Sequence, residues 1–370
     1  IWHLSLRRIK MKAFRKVMAL ILALTLCLGM ALSLASCGGG NDDETVTVTD
    51  MLGETHEVKK NPTKVACASR TTYDLLVAFG LGDCIDGVYY SLLENEWSDA
   101  FDKDADSRYS LAYEESYETY ISRGVELVFS PEKYITDELI EHGITAVNVS
   151  LYGTPDFSGF VYYFADMVKQ IWDSEEVARR VDAWKAEMAS TISAIQTELA
   201  KHPDDAKRTV YYVRGDKNRG IGYTDTVGSF TEYAYKVLGM IPLNDRFETN
   251  KPSAEEICAQ NPDVFVVGGI YQKTLLETLT TTEPYKNLDA VKNGQYYNIP
   301  MGLTMFEQLS VFSPAFLMDQ ANKLYPEYFD FDVEGEIKKL AKDFFDVELT
   351  DAEVSNMLNG LSRNGESLEK

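Results

Sequence analysis

Residues 174–201 read SEEVARRVDAWKAEMASTISAIQTELAK, a run in which the larger apolar side chains recur at steps of three and four. Neither Gly nor Pro interrupts the run, and this periodicity predicts a single long helix. At about 1.5 Å per residue the helix would reach roughly 40 Å, the width of a lobe or more. Because the same periodicity is typical of an ordinary surface helix, the role of this helix depends on the sequence at either end.

On both sides of the run, a short apolar strand, a polar loop and an amphipathic helix follow one another repeatedly. Strands that alternate with helices are typical of parallel sheets with helices on both faces. The predicted strands are Lys64–Ala68, Ile85–Val88, Val125–Phe129, Ala146–Val149, Thr209–Val213, Asp263–Val267 and Gln295–Ile299. We therefore predict an α/β fold with two Rossmann-like lobes at residues 45–173 and 202–370, the second with C-terminal helices. One long rigid connecting helix at residues 174–201 joins their parallel sheets.

The N-terminal segment has the pattern of a secretory signal. From Met11 basic residues precede an apolar run that ends in the sequence LASC at residues 34–37, as in a signal peptide rather than a spanning helix. The ending resembles the lipobox of bacterial lipoproteins, in which the Cys becomes a lipidated N-terminus; an ordinary signal peptide with a chance Cys is the alternative. We predict a signal peptide with an upstream extension at residues 1–36 and a lipidated tether at 37–44. Cys37 would then anchor the protein to the outer face of the cell membrane, where two acyl chains make a stable anchor.

The chain is strongly acidic, with a net charge of −22 from 58 acidic and 36 basic side chains. The predicted signal segment holds six Lys or Arg and no acid, so the remaining 334 residues carry −28. A chain of this length suggests about two domains, and its charge makes nucleic acid an unsuitable partner. Beyond the lipobox, Cys67, Cys84 and Cys258 form an odd set without metal spacing. A bridge between the first two stays open.

Several motifs lie in a fixed order along the chain. They are Val48-Thr49-Asp50 with Gly53, the NPTKV entry at residues 61–65, LLVAFGLGD at 75–83, and Glu255 through Pro262-Asp263-Val264. Their order and spacing resemble the iron-siderophore, haem and cobalamin binding proteins of ABC importers. One departure is the sequence GVE at residues 124–126, where that family usually has Lys-Pro-Asp. The resemblance implies a monomer that captures a chelated metal complex, such as a ferric siderophore or haem, and delivers it to an ABC permease dimer with its ATPase.

In parallel α/β lobes, ligands bind beyond the carboxyl ends of the strands. Arg70 and Arg214 follow predicted strands in matching positions of the two lobes, and paired guanidinium groups suit carboxylates or catecholates. The alternative for each is a surface ion pair. The other predicted ligand contacts are Thr71, Tyr89, Tyr90, Tyr152, Tyr271 and Met301, with Phe306 as a further wall residue. The alternative for the tyrosines is that they cover the surface of a lobe without contacting a ligand.

Each lobe has a Ser two residues before a Glu and an acid at the start of the next strand. The pairs are Ser116 with Glu118 and Ser253 with Glu255. The resemblance implies that these two glutamates dock onto arginines of the permease, and one carboxylate per lobe suits a two-fold partner. The alternative is local, because Ser253 and Glu256 have the spacing of a capping box at a helix start.

Other classes of function leave weaker traces in the sequence. We find no nucleophile elbow, no Gly-rich phosphate loop and no His–carboxylate set, so we expect no catalysis, no catalytic residue and no cofactor. A bare metal site needs several His and carboxylate ligands, but His56, His142 and His202 lie outside the predicted cleft loops, so we expect no metal-ligating residue. An oxyanion or bare-metal binder stays the main alternative. A surface receptor is the next, with Phe344 and Phe345 as its candidate patch.

Overall fold

Two parallel sheets form the framework of the chain. The computed structural model describes residues 44–150, 157–203 and 207–369, so the predicted signal segment, Cys37 and Tyr152 lie outside the described residues. The five-stranded sheet has the order β5-β4-β3-β6-β7 and the four-stranded sheet the order β11-β10-β8-β9, and every pairing within them is parallel. The strands are β1 (Thr45–Thr49), β2 (Thr55–Lys59), β3 (Val65–Cys67), β4 (Ile85–Tyr89), β5 (Tyr109–Leu111), β6 (Leu127–Ser130), β7 (Ala146–Asn148), β8 (Thr209–Val213), β9 (Ile241–Pro242), β10 (Val264–Val267) and β11 (Tyr296–Asn298).

Helices alternate with these strands along the chain, as parallel pairing requires. They are α1 (Arg70–Leu76), α2 (Tyr90–Leu93), α3 (Trp97–Phe101), α4 (Tyr117–Arg123), α5 (Lys133–Glu141), α6 (Phe157–Ile171), α7 (Glu175–Leu199), α8 (Phe230–Val237), α9 (Ala254–Gln260), α10 (Gln272–Thr281), α11 (Asp289–Lys292), α12 (Ser313–Leu324), α13 (Val333–Phe345) and α14 (Asp351–Leu358). Strands β1 and β2 form a separate antiparallel hairpin. The predicted fold class is confirmed. Within the described residues, no helix combines the length and the apolar character needed to cross a membrane.

The long helix α7 separates the two sheets in the sequence. Its 25 residues begin after Ser174, whose hydroxyl accepts a hydrogen bond from the Val177 amide, and at about 1.5 Å per residue they extend roughly 37 Å. One face is buried from end to end, by Val177, Val181, Trp184, Met188, Thr191, Ile195 and Leu199. This apolar stripe stabilises the helix by tertiary packing rather than by helix propensity alone.

The side chains of α7 also bind main-chain oxygens far away in the sequence. Arg180 donates from Nη1 to the carbonyls of Ala78 and Phe344, at 3.1 and 3.2 Å. Trp184 donates from Nε1 to the carbonyl of Val311 at 3.2 Å. The helix is therefore fastened both to the turn after α1 and to the C-terminal part of the chain.

The acid just before β6 and the acid just before β10 each accept hydrogen bonds from the start of a neighbouring strand. Glu126 accepts from the amides of Thr63 and Lys64, at 2.6 and 3.2 Å, just before β3. Asp263 accepts from the amide and the hydroxyl of Thr209, at 2.7 and 2.8 Å, at the start of β8. The acid that precedes a strand in each half of the sequence therefore makes the same kind of contact in both sheets. In the first sheet this acid is Glu126, and in the second it is Asp263.

The remaining sequence alternatives concern the C-terminal helices and the cysteines. Phe344 is buried on α13 and packs in the core, so the packing alternative is correct for that residue and an exposed receptor patch is not supported there. Cys67 and Cys84 are both free thiols, and Cys67 is fully buried.

Candidate functional site

Both sheets reverse their strand order at one strand. From β3 the chain moves to β4 and β5 on one side and later to β6 and β7 on the other; from β8 it moves to β9 and later to β10 and β11. The carboxyl end of such a strand is a topological switch point, where the diverging loops leave a crevice. Arg70 begins α1 just after β3, and Arg214 directly follows β8. The two arginines therefore lie at the switch points of the two sheets.

One cavity, here called the charged chamber, is lined by both arginines. Its volume is about 180 Å³. Its lining consists of Ala68, Ser69, Arg70, Thr71, Tyr89, Tyr113, Pro131, Glu132, Val149, Ser150, Arg214 and Gln308. The hydroxyl of Thr71 donates to the carbonyl of Gln308 at 3.1 Å, which joins the start of α1 to the C-terminal part of the chain. The chamber thus receives one guanidinium from each sheet.

The two guanidinium groups have different surroundings. Arg214 donates from Nη1 to Oδ1 of Asp225 at 2.9 Å, and the other oxygen of this buried carboxylate accepts from the Thr231 hydroxyl at 2.8 Å. Arg70 lies 5.1 Å from the centroid of the Tyr89 ring, and no carboxylate among the described residues forms an ion pair with it. Arg214 is therefore oriented by a buried carboxylate, whereas Arg70 lies over an aromatic face, which attracts a cation only weakly.

A second cavity, here called the apolar chamber, adjoins the first because Arg70 lines both. Its volume is about 250 Å³. Its lining consists of Arg70, Tyr90, Ser91, Leu92, Glu94, Asn95, Ile270, Tyr271, Met301, Leu303, Thr304, Met305 and Leu368. Residues from the loops of both sheets again face each other, and most of the far wall is aliphatic or thioether carbon. Among the described lining residues of the two chambers there is no His and no Cys.

A buried carboxylate lies beneath these chambers. Glu307 accepts from the Gly269 amide at 2.8 Å and from the Tyr212 hydroxyl at 3.2 Å, both through Oε1. Its second oxygen, Oε2, is buried and has no hydrogen-bond partner among the residues that the structure describes. Burial raises the pKa of Glu307 to about 7, and the nearby charge of Asp225 adds to the rise. A Cβ at Gly268 would come within 2.3 Å of Oε1, so only glycine admits this carboxylate.

A second buried carboxylate, Asp74 of α1, fastens the loop that lines the apolar chamber. Its Oδ2 accepts from the Thr304 hydroxyl and from the Val311 amide, each at 3.1 Å. Burial raises the pKa of Asp74 to about 7. Because Asp74 follows β3 of the first sheet and its donors follow β11 of the second, these bonds tie the two sides of the cleft together.

The structure assembles most of the predicted site residues around the two chambers. The charged chamber is lined by Arg70, Thr71, Tyr89 and Arg214, and the apolar chamber by Arg70, Tyr90, Tyr271 and Met301. Phe306 was predicted as a wall residue, and that prediction is wrong. Its ring is fully buried and stacks on Phe312 at 5.0 Å, because the backbone turns at this point and directs it into the core.

Sequence reasoning missed the lining residues that come from distant segments. Tyr113 and Glu132 reach the charged chamber from the first sheet, and Leu368 reaches the apolar chamber from the C-terminal end of the described chain. Glu307 was missed as well. The pair of glycines at residues 268–269, directly after a strand, is a sequence signal for the close approach of another group at that point.

The two glutamates with a predicted docking role both lie in the first turn of a short helix. Glu118 is exposed on α4 and Glu255 is exposed on α9. The capping box at Ser253 and Glu256 is present, whereas Ser116 makes no side-chain cap bond. A backbone amide and the Tyr117 hydroxyl lower the pKa of Glu118, so its carboxylate is ionised at neutral pH.

One group of potential metal ligands lies away from the chambers. Donor atoms of Asp50, Glu54 and His56, at the turn between β1 and β2, lie within 4.8 Å of one another. Asp50 already accepts from the amides of Leu52 and Glu54, each at 2.9 Å, and contacts Nε2 of His56 at 2.9 Å. The carboxylate therefore serves the turn itself.

Two parallel sheets flanked by helices, a cleft at both switch points and a long helix between the sheets in the sequence match the fold of solved solute-binding proteins. Residues 126–301 match the family model described as periplasmic binding protein. The match covers 176 of the 370 residues, and over this part the chain is similar to the binding proteins of that family. No curated protein sequence matches the chain significantly.

Solved structures of such proteins share the fold at low sequence identity. The molybdate-binding protein MolA of Haemophilus influenzae is 15% identical, with a TM-score of 0.67 over 82% of this chain and 99% of that one. CeuE of Helicobacter pylori, in a Ni–His complex, is 18% identical, with a TM-score of 0.66 over 85% and 99%. A protein of the Fe³⁺-hydroxamate transport system of Saccharomonospora viridis is 16% identical, with a TM-score of 0.58 over 76% and 98%.

Proposed function

We propose that this protein captures a chelated metal complex, such as a ferric siderophore or haem, and delivers it to an ABC permease. The observation that carries the proposal is the charged chamber, in which Arg70 and Arg214 face one cavity from opposite sheets. Two guanidinium groups bind carboxylate, catecholate or hydroxamate oxygens by paired, charge-assisted hydrogen bonds. The similar proteins that carry Fe³⁺-hydroxamate and Ni–His in their descriptions support this class of ligand.

The size and character of the two chambers favour a complex over a simple ion. Volumes of about 180 and 250 Å³ are each below the roughly 300–1,000 Å³ of typical ligand pockets. Because Arg70 lines both, a larger ligand would occupy them together. Its charged oxygens would lie between the arginines, and its apolar part would lie against Tyr271 and Met301. A bare transition metal lacks His or Cys ligands in the described lining, whereas a chelated metal brings its own.

Delivery would use Glu118 and Glu255 as the docking carboxylates, one from each side of a monomer. Their exposure leaves both carboxylates accessible to arginines of a two-fold permease, and the capping bonds at α9 belong to Glu256, not to Glu255. Reversing both charges by substitution with Lys should abolish transport in cells without changing the affinity of the isolated protein for its ligand. A loss of ligand affinity in the same variant would contradict the docking role.

The proposed location is the outer face of the cell membrane, with Cys37 as the lipidated residue. Cys37→Ser should move the protein from the membrane fraction to the soluble extracytoplasmic fraction, because no acyl chain could be attached. A Cys27→Ser control, within the apolar run, should stay with the membrane. Equal partitioning of both variants would refute the anchor.

Ligand binding is tested by tryptophan quenching, since Trp97 lies two residues from the chamber residue Asn95. The titrants are ferric tris-catecholate, a ferric hydroxamate, haemin, molybdate and zinc chloride. Arg214→Met should weaken binding of the preferred complex by at least tenfold, or about 1.4 kcal/mol. Arg219→Met is the matched control, because this arginine is in the same loop but pairs with Asp216 at 3.4 Å. Binding of molybdate or zinc alone would refute the chelated-complex proposal.

A further inference from the structure

The last described residues of the chain form a small hairpin beside the apolar chamber. Leu361 and Ser367 form an antiparallel bridge, and the Ser362 amide donates to the Glu366 carbonyl at 2.8 Å. Gly365 turns the chain with φ +82°, a conformation that favours glycine. The half-buried side chain of Leu368 then lines the apolar chamber. We call residues 361–369 the C-terminal wall.

Hydrogen bonds hold the C-terminal wall to the side of the cleft formed by the first sheet. Trp97, which is fully buried on α3, donates from Nε1 to the Leu361 carbonyl at 3.0 Å. Asn364 donates from Nδ2 to Oε2 of Glu96 at 2.9 Å. Both contacts join residues more than 260 positions apart, so the wall is fixed to residues that immediately follow α2 and the chamber residues Glu94 and Asn95.

The other end of the C-terminal wall is bound to the side formed by the second sheet. The carboxylate of Glu369 accepts from the amide and the hydroxyl of Thr274, at 2.8 and 2.7 Å, in the first turn of α10. The same helix begins after Tyr271, which lines the apolar chamber. The wall therefore spans the cleft, and Leu368 is placed between its two attachment points.

We propose that the C-terminal wall determines the specificity of the site, with Leu368 selecting complexes whose chelating groups carry aliphatic or aromatic substituents. This inference rests on the proposed function. The physical reason is the separation of roles along the cleft. The arginines would bind the charged oxygens of a ligand, whereas Leu368, Ile270 and Met301 offer carbon surface that gains free energy only from an apolar partner. Because Leu368 is held from both ends, its position does not depend on a mobile tail.

The inference is tested with two complexes of equal charge that differ only in apolar bulk. They are ferric tris-catecholate and ferric tris(4-tert-butylcatecholate), titrated into the full chain by tryptophan quenching. The wild-type protein should prefer the butylated complex by about tenfold or more, since each buried CH₂ contributes about 0.8 kcal/mol. Leu368→Ala should reduce that preference at least threefold, and Leu368→Trp should abolish it by filling the chamber. Both variants should lose less affinity for the unsubstituted complex than for the butylated one, because the contacts that they change are with the butyl groups.

Leu276→Ala is the matched control, because this half-buried leucine is on α10 but does not line the described part of the chamber. Urea unfolding of each variant establishes that it is folded before titration. If Leu368→Ala and Leu276→Ala both keep the wild-type preference, the specificity role of the C-terminal wall is refuted and the proposed function stands. If the wild-type protein binds neither catecholate complex, the ligand class and the wall inferred for it are both refuted.

Discussion

Replacing Glu307 with Gln should make the stability of the protein less dependent on pH. The substitution keeps Oε1, which accepts from Gly269 and Tyr212, and it replaces only the oxygen that has no partner. The ionised carboxylate, by contrast, is a buried charge close to Asp225, and no described Lys, Arg or His forms an ion pair with it. The two side chains therefore have almost the same shape and differ mainly in the charge that the wild-type residue acquires as pH rises.

The magnitude follows from the pKa of Glu307, which burial raises from 4.5 to about 7. A raised carboxylate pKa means that the folded state binds the proton more tightly than the unfolded state. Its contribution to stability is complete below about pH 4.5 and is lost as pH rises through about 7. Since one pH unit corresponds to about 1.4 kcal/mol, the wild-type protein should lose about 2–3 kcal/mol through this residue between about pH 5 and pH 8.

The assay is urea unfolding followed by tryptophan fluorescence at about pH 5, 6.5 and 8. The free energy of unfolding of Glu307→Gln, relative to wild type, should rise by about 2–3 kcal/mol across this range. Comparison with wild type at each pH cancels the contribution of Asp74, which is shared. Glu141→Gln, at an exposed position of α5, should give the same difference at every pH. A pH-independent difference for Glu307→Gln, or one that falls as pH rises, would refute the reasoning.

Three further predictions concern a helix cap, the core and a thiol. Ser253→Ala should lower the free energy of unfolding by about 1 kcal/mol because it removes a capping box, whereas Ser116→Ala, which removes no cap bond, should cost a few tenths; equal losses would contradict this. Met188→Ala, on the buried face of α7, should cost about 2–5 kcal/mol in urea unfolding, and a smaller loss would mean that the helix packs loosely. Cys67, whose pKa burial raises to about 12, should resist iodoacetamide at about pH 8 while the partly exposed Cys258 is alkylated, as mass spectrometry can follow; faster labelling of Cys67 would contradict the fold around it.

The fold could be predicted from the sequence because its signals are local and repeated. Short apolar strands separated by helices require parallel pairing, and the uninterrupted periodicity of residues 174–201 gave α7 to within two residues at its C-terminal end. Glu126 and Asp263 stand at strand starts in both sheets for a definite reason, because their carboxylates accept hydrogen bonds from the amides of Thr63 and Thr209. Such patterns report the requirements of backbone pairing, which act over a few residues.

The site could be predicted only in part, because the residues that line a cleft come from segments far apart in the sequence. Strand ends pointed to Arg70 and Arg214, since the carboxyl ends of parallel strands lie on one edge of a sheet. No periodicity shows that Leu368 returns to the same cleft, or that Phe306 turns inward while Glu307 beside it approaches Gly269. Those placements depend on how the C-terminal helices pack, and they involve contacts between residues hundreds of positions apart.

The bonds from α7 to distant carbonyls affect more than the helix itself. Arg180 reaches Ala78 on one side and Phe344 on the other, and Trp184 holds Val311 near the base of the cleft. The turn after α1 and the C-terminal part of the chain are therefore held together by side-chain bonds on a helix that lines neither described chamber. Substitutions at Arg180 or Trp184 would therefore weaken the attachment of the framework around the cleft without replacing a residue that lines either chamber.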